Sequence, residues 1–424
     1  MRFIKDVLVV ACWTLFLLVL LECGLRVSGA KYDGSFYQSD PVTYTAFRPN
    51  AAGWVLEGEN FSRINSHGMH DVERSLAKPP NTLRLAILGD SVVAAQQVPV
   101  EKTMAQVLER ILSNAASLNG YRIEVLNFGV GGYTLAQTYL TQRDKVWAFQ
   151  PDIIVLFLSN TAVPSTIRSL YRVGSSSPFF VYNDGQLVPD PHNRPPEALD
   201  EKSMRWTGQL KDLYNQVYLL QLALKVLKEG IPEKVATLRR RQAASAAQPV
   251  NNVVAFPFRP ARSPEEGEAW HVTEGLLKFM SSNATEHGAE FLLFSFGDEI
   301  QCDPDPAERE KFLRRINGVS LDYTDRRLQE LAERQHIRFF AMAPRLLDYA
   351  TRHNVLLRGF FNTRRNYGHF NERGNAIAAG IAANELIRRS ERLGRVITEV
   401  NSDQERLGGT AVSAEARSSE RAAK

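Results

Sequence analysis

The stretch TLRLAILGDSVVAAQQ, residues 82–97, decides the fold. Within it, Leu85 to Leu88 is a short, continuous apolar run, which is typical of a strand buried on both faces of a parallel sheet. Gly89 ends the run, and Asp90 and Ser91 follow on a predicted tight turn that leads into a helix. Because open α/β sheets bind ligands at the carboxyl ends of their strands, Ser91 is the first candidate functional residue.

The same apolar signal recurs along the chain and alternates with segments of helical periodicity. This alternation predicts right-handed parallel crossovers, and hence an α/β fold: a three-layer α/β/α doubly wound parallel sheet of the flavodoxin-like kind. A closing helix is predicted over Gly374 to Arg389. The further predicted strands are Ile123 to Phe128, Ile153 to Leu158, Glu290 to Phe296 and Ile337 to Ala341.

The composition excludes some classes of protein. With 51 Lys and Arg against 47 Asp and Glu, the net charge is +4, which gives no case for nucleic-acid binding. Of the 3 cysteines, Cys12 and Cys23 lie in an N-terminal apolar segment, and Cys302 stands alone in the rest of the chain. The part of the chain that follows the N-terminal apolar segment is therefore expected to have neither an intrachain disulfide nor a cysteine zinc site.

The N-terminal segment predicts export. Val7 to Leu21 carries no charge and follows Arg2 and Lys5, so the N-terminus is expected inside. The run is shorter than the roughly 20 residues that span a bilayer, but the apolar residues beyond Glu22 make a marginal span possible. We predict a single-pass anchor in the cell inner membrane, with the remaining chain on the periplasmic side. A signal peptide cleaved near residues 28–30, giving a secreted protein, and a buried soluble helix are the alternatives.

The chain divides into six predicted segments. An apolar stripe from Met204 to Leu227 predicts a helix in the insertion, and the basic run from Lys225 to Arg241 predicts a solvated face or a contact with an anionic membrane or polymer. The segments are an anchor or signal (1–30), an irregular lead-in (31–80), a first core half (81–196), a helical insertion and connector (197–264), a second core half (265–392) and a disordered tail (393–424).

Two histidines in the lead-in, His67 and His70, lie on a predicted turn. Without a cluster of Cys or Glu nearby, they are expected to be polar surface residues rather than metal ligands. The sequence predicts neither a metal nor a cofactor.

Four sets of residues can meet at one edge of the predicted sheet. Ser91 follows the first strand, Gly131 and Gly132 follow the second, Asn160 follows the third, and His369 precedes the final helix. A serine hydroxyl is a poor nucleophile until a base takes its proton and hydrogen-bond donors receive the oxyanion. The order of these residues therefore indicates a nucleophilic serine site.

These positions resemble the motif blocks of the SGNH hydrolases, also called the GDSL family. The blocks are Gly89-Asp90-Ser91, Asn127 to Gly132, Asn160 and His369 to Asn375, and the resemblance covers roughly residues 40–160 and 265–390. The 197–264 segment has no counterpart in it.

The resemblance implies a role for each matched residue. Ser91 would be the nucleophile and His369 the general base. The backbone N–H groups of Ser91 and Gly132, with the Asn160 side chain, would form the oxyanion hole. Asp90 and Gly131 would contact the substrate.

Two blocks depart from the family pattern. The third reads Leu158-Ser159-Asn160-Thr161, so the turn around the asparagine differs. In the last block, Asn366 stands where the family has an aspartate, three residues before His369. In serine proteases an Asp to Asn change costs about 10⁴ in turnover.

Three hypotheses account for Asn366. In the first, a Ser91-His369 dyad works with a backbone carbonyl that orients the imidazole. In the second, a distant carboxylate, such as Asp298 or Asp71, folds into the site. In the third, the site is catalytically weak and serves binding.

The resemblance and the predicted export together imply an esterase. It would hydrolyse or transfer O-acyl groups, above all acetyl, on an envelope or secreted polysaccharide. The alternative is an inactive saccharide-binding or scaffolding component of an envelope assembly. The expected partners are an acylated carbohydrate and the membrane, while the oligomeric state is not predicted by the sequence.

Overall fold

A computed structural model describes residues 2–116, 120–171, 177–196, 201–230 and 252–397. The predicted tail from residue 398 onward lies outside the described residues, as do residues 242–251 of the predicted connector and residues 231–241 of the basic run.

The described strands form one central sheet and three small hairpins. They are β1 (Tyr37–Asp40), β2 (Tyr44–Phe47), β3 (Ala52–Val55), β4 (Asn60–Arg63), β5 (Thr82–Leu88), β6 (Arg122–Asn127), β7 (Ile153–Leu158), β8 (Phe180–Asn183), β9 (Gln186–Pro189), β10 (Glu290–Ser295) and β11 (Arg338–Ala341). The central sheet has the order β11-β10-β7-β5-β6, and every neighbouring pair is parallel. This is the doubly wound, flavodoxin-like order, so the predicted fold class is confirmed.

The described α-helices cover both faces of the sheet and extend beyond it. They are α1 (Arg2–Val27), α2 (Ser91–Ala94), α3 (Met104–Ala116), α4 (Leu135–Asp144), α5 (Glu201–Gln216), α6 (Tyr218–Gly230), α7 (Asn252–Ala255), α8 (Pro264–Glu286), α9 (Pro306–Ile316), α10 (Tyr323–Arg334), α11 (Ala343–His353), α12 (Glu372–Arg389) and α13 (Glu391–Val396).

The continuous apolar strands reflect burial on both faces of the sheet. In β5, Leu85 and Ile87 pack into one core while Ala86 and Leu88 pack into the other. The first core contains side chains of α3, α11 and α12, and the second contains side chains of α4, α8 and α10. Both faces are therefore dry, which explains why these strands lack the polar alternation of a half-exposed strand.

The lead-in folds onto the carboxyl edge of the sheet. Strands β1 and β2 form one hairpin and β3 and β4 another. Phe36 and Phe47 of this region form a small core with Ala94 of α2 and with Val130 and Tyr133 of the loop after β6. The segment predicted to be irregular is thus packed against the turn that carries Ser91.

The helical insertion differs from its predicted form. The apolar stripe from Met204 to Leu227 predicts one helix, but the structure breaks it at Val217 into α5 and α6. The N-terminal helix α1 is exposed along its length, and from Phe3 to Val27 it is long and apolar enough to cross a membrane.

Candidate active site

The turn after β5 presents Ser91 at the carboxyl edge of the sheet. Gly89 is required because a Cβ there would overlap the Val93 side chain. The Asp90 carboxylate caps α2 by accepting a hydrogen bond from the Val92 N–H at 2.9 Å. Ser91 is the first residue of α2, so the turn fixes the direction of its side chain.

Asp90 is occupied within this turn. One of its carboxylate oxygens accepts from Val92, and the other accepts from the Ser159 hydroxyl at 2.6 Å. We therefore assign Asp90 to the architecture of the turn rather than to the substrate contact that the resemblance implies.

Ser91, His369 and Glu57 form a hydrogen-bonded chain. The His369 Nε2 atom lies 2.8 Å from the Ser91 Oγ atom. On the other side of the ring, His369 Nδ1 lies 2.6 Å from Glu57 Oε2. The second Glu57 oxygen accepts the backbone N–H of His369 at 2.8 Å. The Glu57 carboxylate thus hydrogen-bonds to both the ring and the backbone of His369, and it favours the tautomer with hydrogen on Nδ1.

Electrostatics keep Glu57 ionised. Burial acts to raise the pKa of Glu57, but the hydrogen bonds and charge of His369, with the nearby Arg358 guanidinium, outweigh it. The pKa of Glu57 therefore lies below its usual value. A charged carboxylate is the form that stabilises an imidazolium during proton transfer.

The loop segment that carries Glu57 is fixed from two sides. Asn362 donates its side-chain amide to the Leu56 carbonyl, and its amide oxygen accepts the Gly58 N–H at 3.2 Å. Gly58 adopts a φ of 79°, and a Cβ there would lie 2.5 Å from the Gln97 carbonyl oxygen. These contacts bring a lead-in residue to a histidine that is 312 positions away in the sequence.

The hypothesis that a backbone carbonyl orients His369 is wrong, because the Glu57 carboxylate occupies the ring nitrogen. Asn366 is directed elsewhere, since its amide nitrogen donates to the Glu299 carbonyl at 3.1 Å and to the Asp303 carboxylate at 3.0 Å. Asn366 is therefore a residue that shapes the loop before His369, in a left-handed conformation with φ of 51°.

The two carboxylates named as distant candidates also have other surroundings. Asp71 is buried and paired with Arg74, and burial is the main reason that its pKa is raised. Asp298 follows β10, where burial and then the charge of Glu299 raise its pKa to about 7. A distant carboxylate does contact His369, as the second hypothesis supposed, but it belongs to Glu57 and not to Asp298 or Asp71.

Gly368 gives Glu57 access to His369. Its φ is 96°, and a Cβ at this position would overlap Glu57 Oε1. We expect Gly368→Ala to displace the carboxylate and lower kcat/KM for an acetyl ester by about 10²-fold, the usual cost of misplacing a catalytic group by about 1 Å.

The matched control is Gly288→Ala, because Gly288 has a similar φ of 69° and open space around its Cβ position. This variant carries the same backbone strain without the overlap and should retain activity. Equal losses in both variants would show that strain alone, and not the position of Glu57, determines the effect.

The candidate oxyanion donors line the same edge of the sheet. Gly131 and Gly132 line the cleft beside Ser91 and His369. Gly132 has a φ of 79°, and among the described residues its backbone N–H pairs with no acceptor, so it is available to a ligand.

Asn160 is fully buried just after β7, and its amide nitrogen donates to Gln301 Oε1 at 2.5 Å. Gln301 in turn donates to the Asp325 carboxylate at 3.0 Å. The Oδ1 atom of Asn160 has no partner in the described part of the chain. The structure thus shows a positioned Asn160 amide, and its donation to an oxyanion stays a prediction.

The cleft at Ser91 has a volume of about 450 Å³. Tyr37 forms one wall, and burial raises the pKa of its hydroxyl to about 12, so it is a neutral donor. A Cβ on Gly131 would overlap that hydroxyl, which explains the glycine. The lining residues are Tyr37, Thr45, Ser91, Ala94, Gln96, Gln97, Gly131, Gly132, Tyr133, Gln137, Tyr171, Ser177 and His369.

His70 packs against the turn that carries Ser91. Contrary to the expectation of a surface residue, it is fully buried, and its Nδ1 lies 2.7 Å from the Ala94 carbonyl oxygen. Burial lowers the pKa of His70 to about 4, so the ring is neutral and donates to the end of α2.

Comparison with known proteins gives matches at the level of structure. No protein-family model and no curated protein matches the sequence. Among solved structures, TesA is 12% identical with a TM-score of 0.36, covering 73% of this chain and 99% of its own. The acetyl xylan esterase AlAXEase is 14% identical with a TM-score of 0.36, covering 72% of this chain and 100% of its own.

A two-domain esterase active on acetylated mannans is 11% identical with a TM-score of 0.35, covering 76% of this chain and 51% of its own. These identities and TM-scores are low, so no activity is transferred from those proteins to this chain.

Proposed function

We propose that this protein is a serine esterase of the SGNH type that acts on O-acetyl esters of an envelope or secreted polysaccharide. The observation that carries the proposal is the Ser91-His369-Glu57 chain, with hydrogen-bond lengths of 2.8 and 2.6 Å, at the wall of a cleft. A nucleophile bonded to a base, which is bonded to an orienting carboxylate, is the arrangement of serine hydrolases.

The chemistry follows from this geometry. Ser91 Oγ attacks the acyl carbon, its proton passes to His369 Nε2, and the carbonyl oxygen becomes an oxyanion. The Ser91 and Gly132 N–H groups and the second amide hydrogen of Asn160 are proposed to receive that charge. When the intermediate collapses, the sugar oxygen leaves and takes the proton from His369. Water then attacks the acyl carbon and gives a proton to His369 Nε2; the bond from that carbon to Ser91 Oγ breaks, acetate leaves, and the proton on His369 returns to Oγ.

Transfer needs no additional group. If the hydroxyl of a second sugar replaces water, the same His369 accepts its proton and the acetyl group moves to a new ester.

The cleft wall favours a short acyl group on a polar substrate. Ala94 is the single aliphatic residue among the described residues of the lining, and the other apolar surface belongs to the rings of Tyr37, Tyr133 and Tyr171, so the wall has no aliphatic channel for a long alkyl chain. Gln96 and Gln97 also contribute polar amide side chains to the lining of the cleft. Sugar hydroxyls are suitable partners for such groups.

The non-catalytic alternative had two supports, the missing aspartate and the added basic run, of which residues 231–241 lie outside the described residues. Because Glu57 supplies a carboxylate for His369, we favour the esterase. We also propose that α1 anchors the chain in the membrane, with Arg2 and Lys5 inside and the catalytic domain outside, on the periplasmic side.

The proposal is tested by treating the full chain with a fluorophosphonate probe and measuring hydrolysis of 4-nitrophenyl acetate and octanoate. We expect a covalent adduct on Ser91 and faster hydrolysis of the acetate. A second assay with an acetylated oligosaccharide and an unacetylated acceptor separates release of acetate from transfer. Saccharide binding without an adduct or hydrolysis would support the scaffolding alternative instead.

A further inference from the structure

The insertion helices expose an apolar surface, which we call the collar patch. On α5, Trp206, Leu210 and Leu213 follow helical spacing, and their exposed fractions are 59%, 56% and 50%. On α6, Leu224 and Leu227 are exposed by 36% and 57%. Such a stripe faces the core in most surface helices of soluble domains, whereas here it faces outward.

The collar patch is joined to α1 by a polar junction. The Glu22 carboxylate accepts the Tyr218 and Leu219 N–H groups at 3.1 and 2.7 Å, which satisfies the start of α6. The Arg26 guanidinium donates to the Gln216 carbonyl at the end of α5 and pairs with Glu22 one turn away. Glu22 and Arg26, the two charged residues near the end of α1, are thus the groups that hold the insertion.

The opposite face of α5 holds the lead-in. Asn215 accepts the Ser35 N–H at 2.7 Å and donates to the Ala52 carbonyl at 2.9 Å. Lys211 donates to the carbonyl of Tyr37 at 2.6 Å. Since Tyr37 forms a wall of the cleft, α5 connects the end of α1 to the substrate-binding region.

The surroundings of the junction suit a membrane interface. The Arg26 guanidinium stacks on the Tyr218 ring at 4.7 Å from its centroid, and Lys225 lies 5.9 Å from the centroid of Tyr32. Tyrosine, tryptophan and basic side chains concentrate at the level of lipid headgroups, where their rings are apolar and their tips are wet. Trp206 in the collar patch fits the same pattern.

We infer that α5 and α6 lie in the outer interface of the bilayer, with the collar patch in contact with lipid, and hold the catalytic cleft in a fixed orientation close to the membrane surface. This inference rests on the proposed anchoring by α1. The connection of the patch to α1 favours lipid over a protein partner, because Glu22 and Arg26 near the end of the proposed membrane helix bond directly to the junction between α5 and α6, the two helices that carry the patch.

The experiment uses the full chain in vesicles of phosphatidylcholine and phosphatidylglycerol. Cys12 and Cys23 are replaced by serine, and Cys302 is buried, so a single new cysteine can carry an environment-sensitive fluorophore. Three positions are compared: Leu210→Cys in the patch, Trp13→Cys in α1, and Val319→Cys, which is 63% exposed outside the patch.

We expect a blue-shifted emission and quenching by spin-labelled lipids at positions 210 and 13, and neither effect at 319. A label at 210 that reports water, with quenching at 13, would overturn the inference and leave the anchor intact. A blue-shifted label at 210 without lipid quenching would overturn it in favour of contact with a protein, such as a second copy. Loss of quenching at both 13 and 210 would refute the anchor itself.

Discussion

Replacing Ser91 with alanine is expected to lower kcat for acetyl-ester hydrolysis by at least about 10⁴-fold, because no acyl-enzyme can form without the hydroxyl. The residual rate would come from the oxyanion donors and from binding, which Ser91→Ala leaves in place. KM should change little, since Oγ is a small part of the binding surface. The measurement is the steady-state rate with 4-nitrophenyl acetate, alongside thermal unfolding to show that the fold is intact.

A matched control is available in Ser165, whose hydroxyl bonds to the Ala162 carbonyl at 2.7 Å and does not line the cleft. Ser165→Ala should hydrolyse the ester at the rate of the unmodified protein. If Ser91→Ala retained that rate too, the nucleophile would lie elsewhere and the proposed mechanism would be wrong.

The sheet was predictable because its signal is local. Strand β7 begins and ends at the predicted residues, Ile153 and Leu158, since a strand buried on both faces needs an apolar side chain at every position. The turn at Ser91 was also predictable, because a glycine and a capping aspartate are chemical requirements of that turn. The resemblance then placed Asn160 and His369 at the same edge.

The break at Val217 could not be predicted from periodicity. The stripe continues through it, and the ends of α5 and α6 are satisfied by Glu22 and Arg26, nearly 200 positions earlier in the chain. Local helix propensity does not reflect contacts with residues so far away in the sequence, so it does not predict the break.

Glu57 was missed for the same reason. It belongs to a polar lead-in where a glutamate is most often solvated, and its neighbour Glu59 pairs with Lys31. The positive φ of Gly368 and of Gly58 allows Glu57 to approach His369 closely. In a sequence, however, two glycines in separate loops do not indicate that those loops contact each other. The hypothesis of a distant carboxylate named Asp298 and Asp71, because nothing in the sequence around Glu57 indicates contact with His369.

Glu57→Gln is expected to lower kcat by about 10⁴-fold, as the corresponding Asp to Asn change does in serine proteases. Glu57 accepts two hydrogen bonds from His369, one from the backbone and one from Nδ1. A glutamine has one acceptor oxygen, so whichever bond it keeps, its NH₂ group faces the other donor. If the oxygen keeps the backbone N–H, the NH₂ group drives the ring hydrogen to Nε2, and His369 can no longer take the Ser91 proton.

Two variants separate this effect from a general disturbance of the lead-in. Glu59→Gln removes a carboxylate two residues away and should leave kcat unchanged, while Glu57→Asp keeps the charge at a longer distance and should recover part of the activity. The steady-state rates of the three variants, measured with 4-nitrophenyl acetate, distinguish loss of the orienting carboxylate from a general disturbance of the lead-in.

A loss in kcat at constant KM identifies an interaction made in the transition state, as expected for an orienting carboxylate. If Glu57→Gln matched the unmodified protein, the imidazole would be oriented by another group, and the short Glu57–His369 bond would serve only to hold the lead-in on the sheet. Because Glu57 also binds the backbone of His369, that structural role predicts a lower melting temperature with kcat unaffected in the folded fraction. An orienting role of Glu57 therefore predicts a lower kcat, whereas a purely structural role predicts an unchanged kcat with a lower melting temperature.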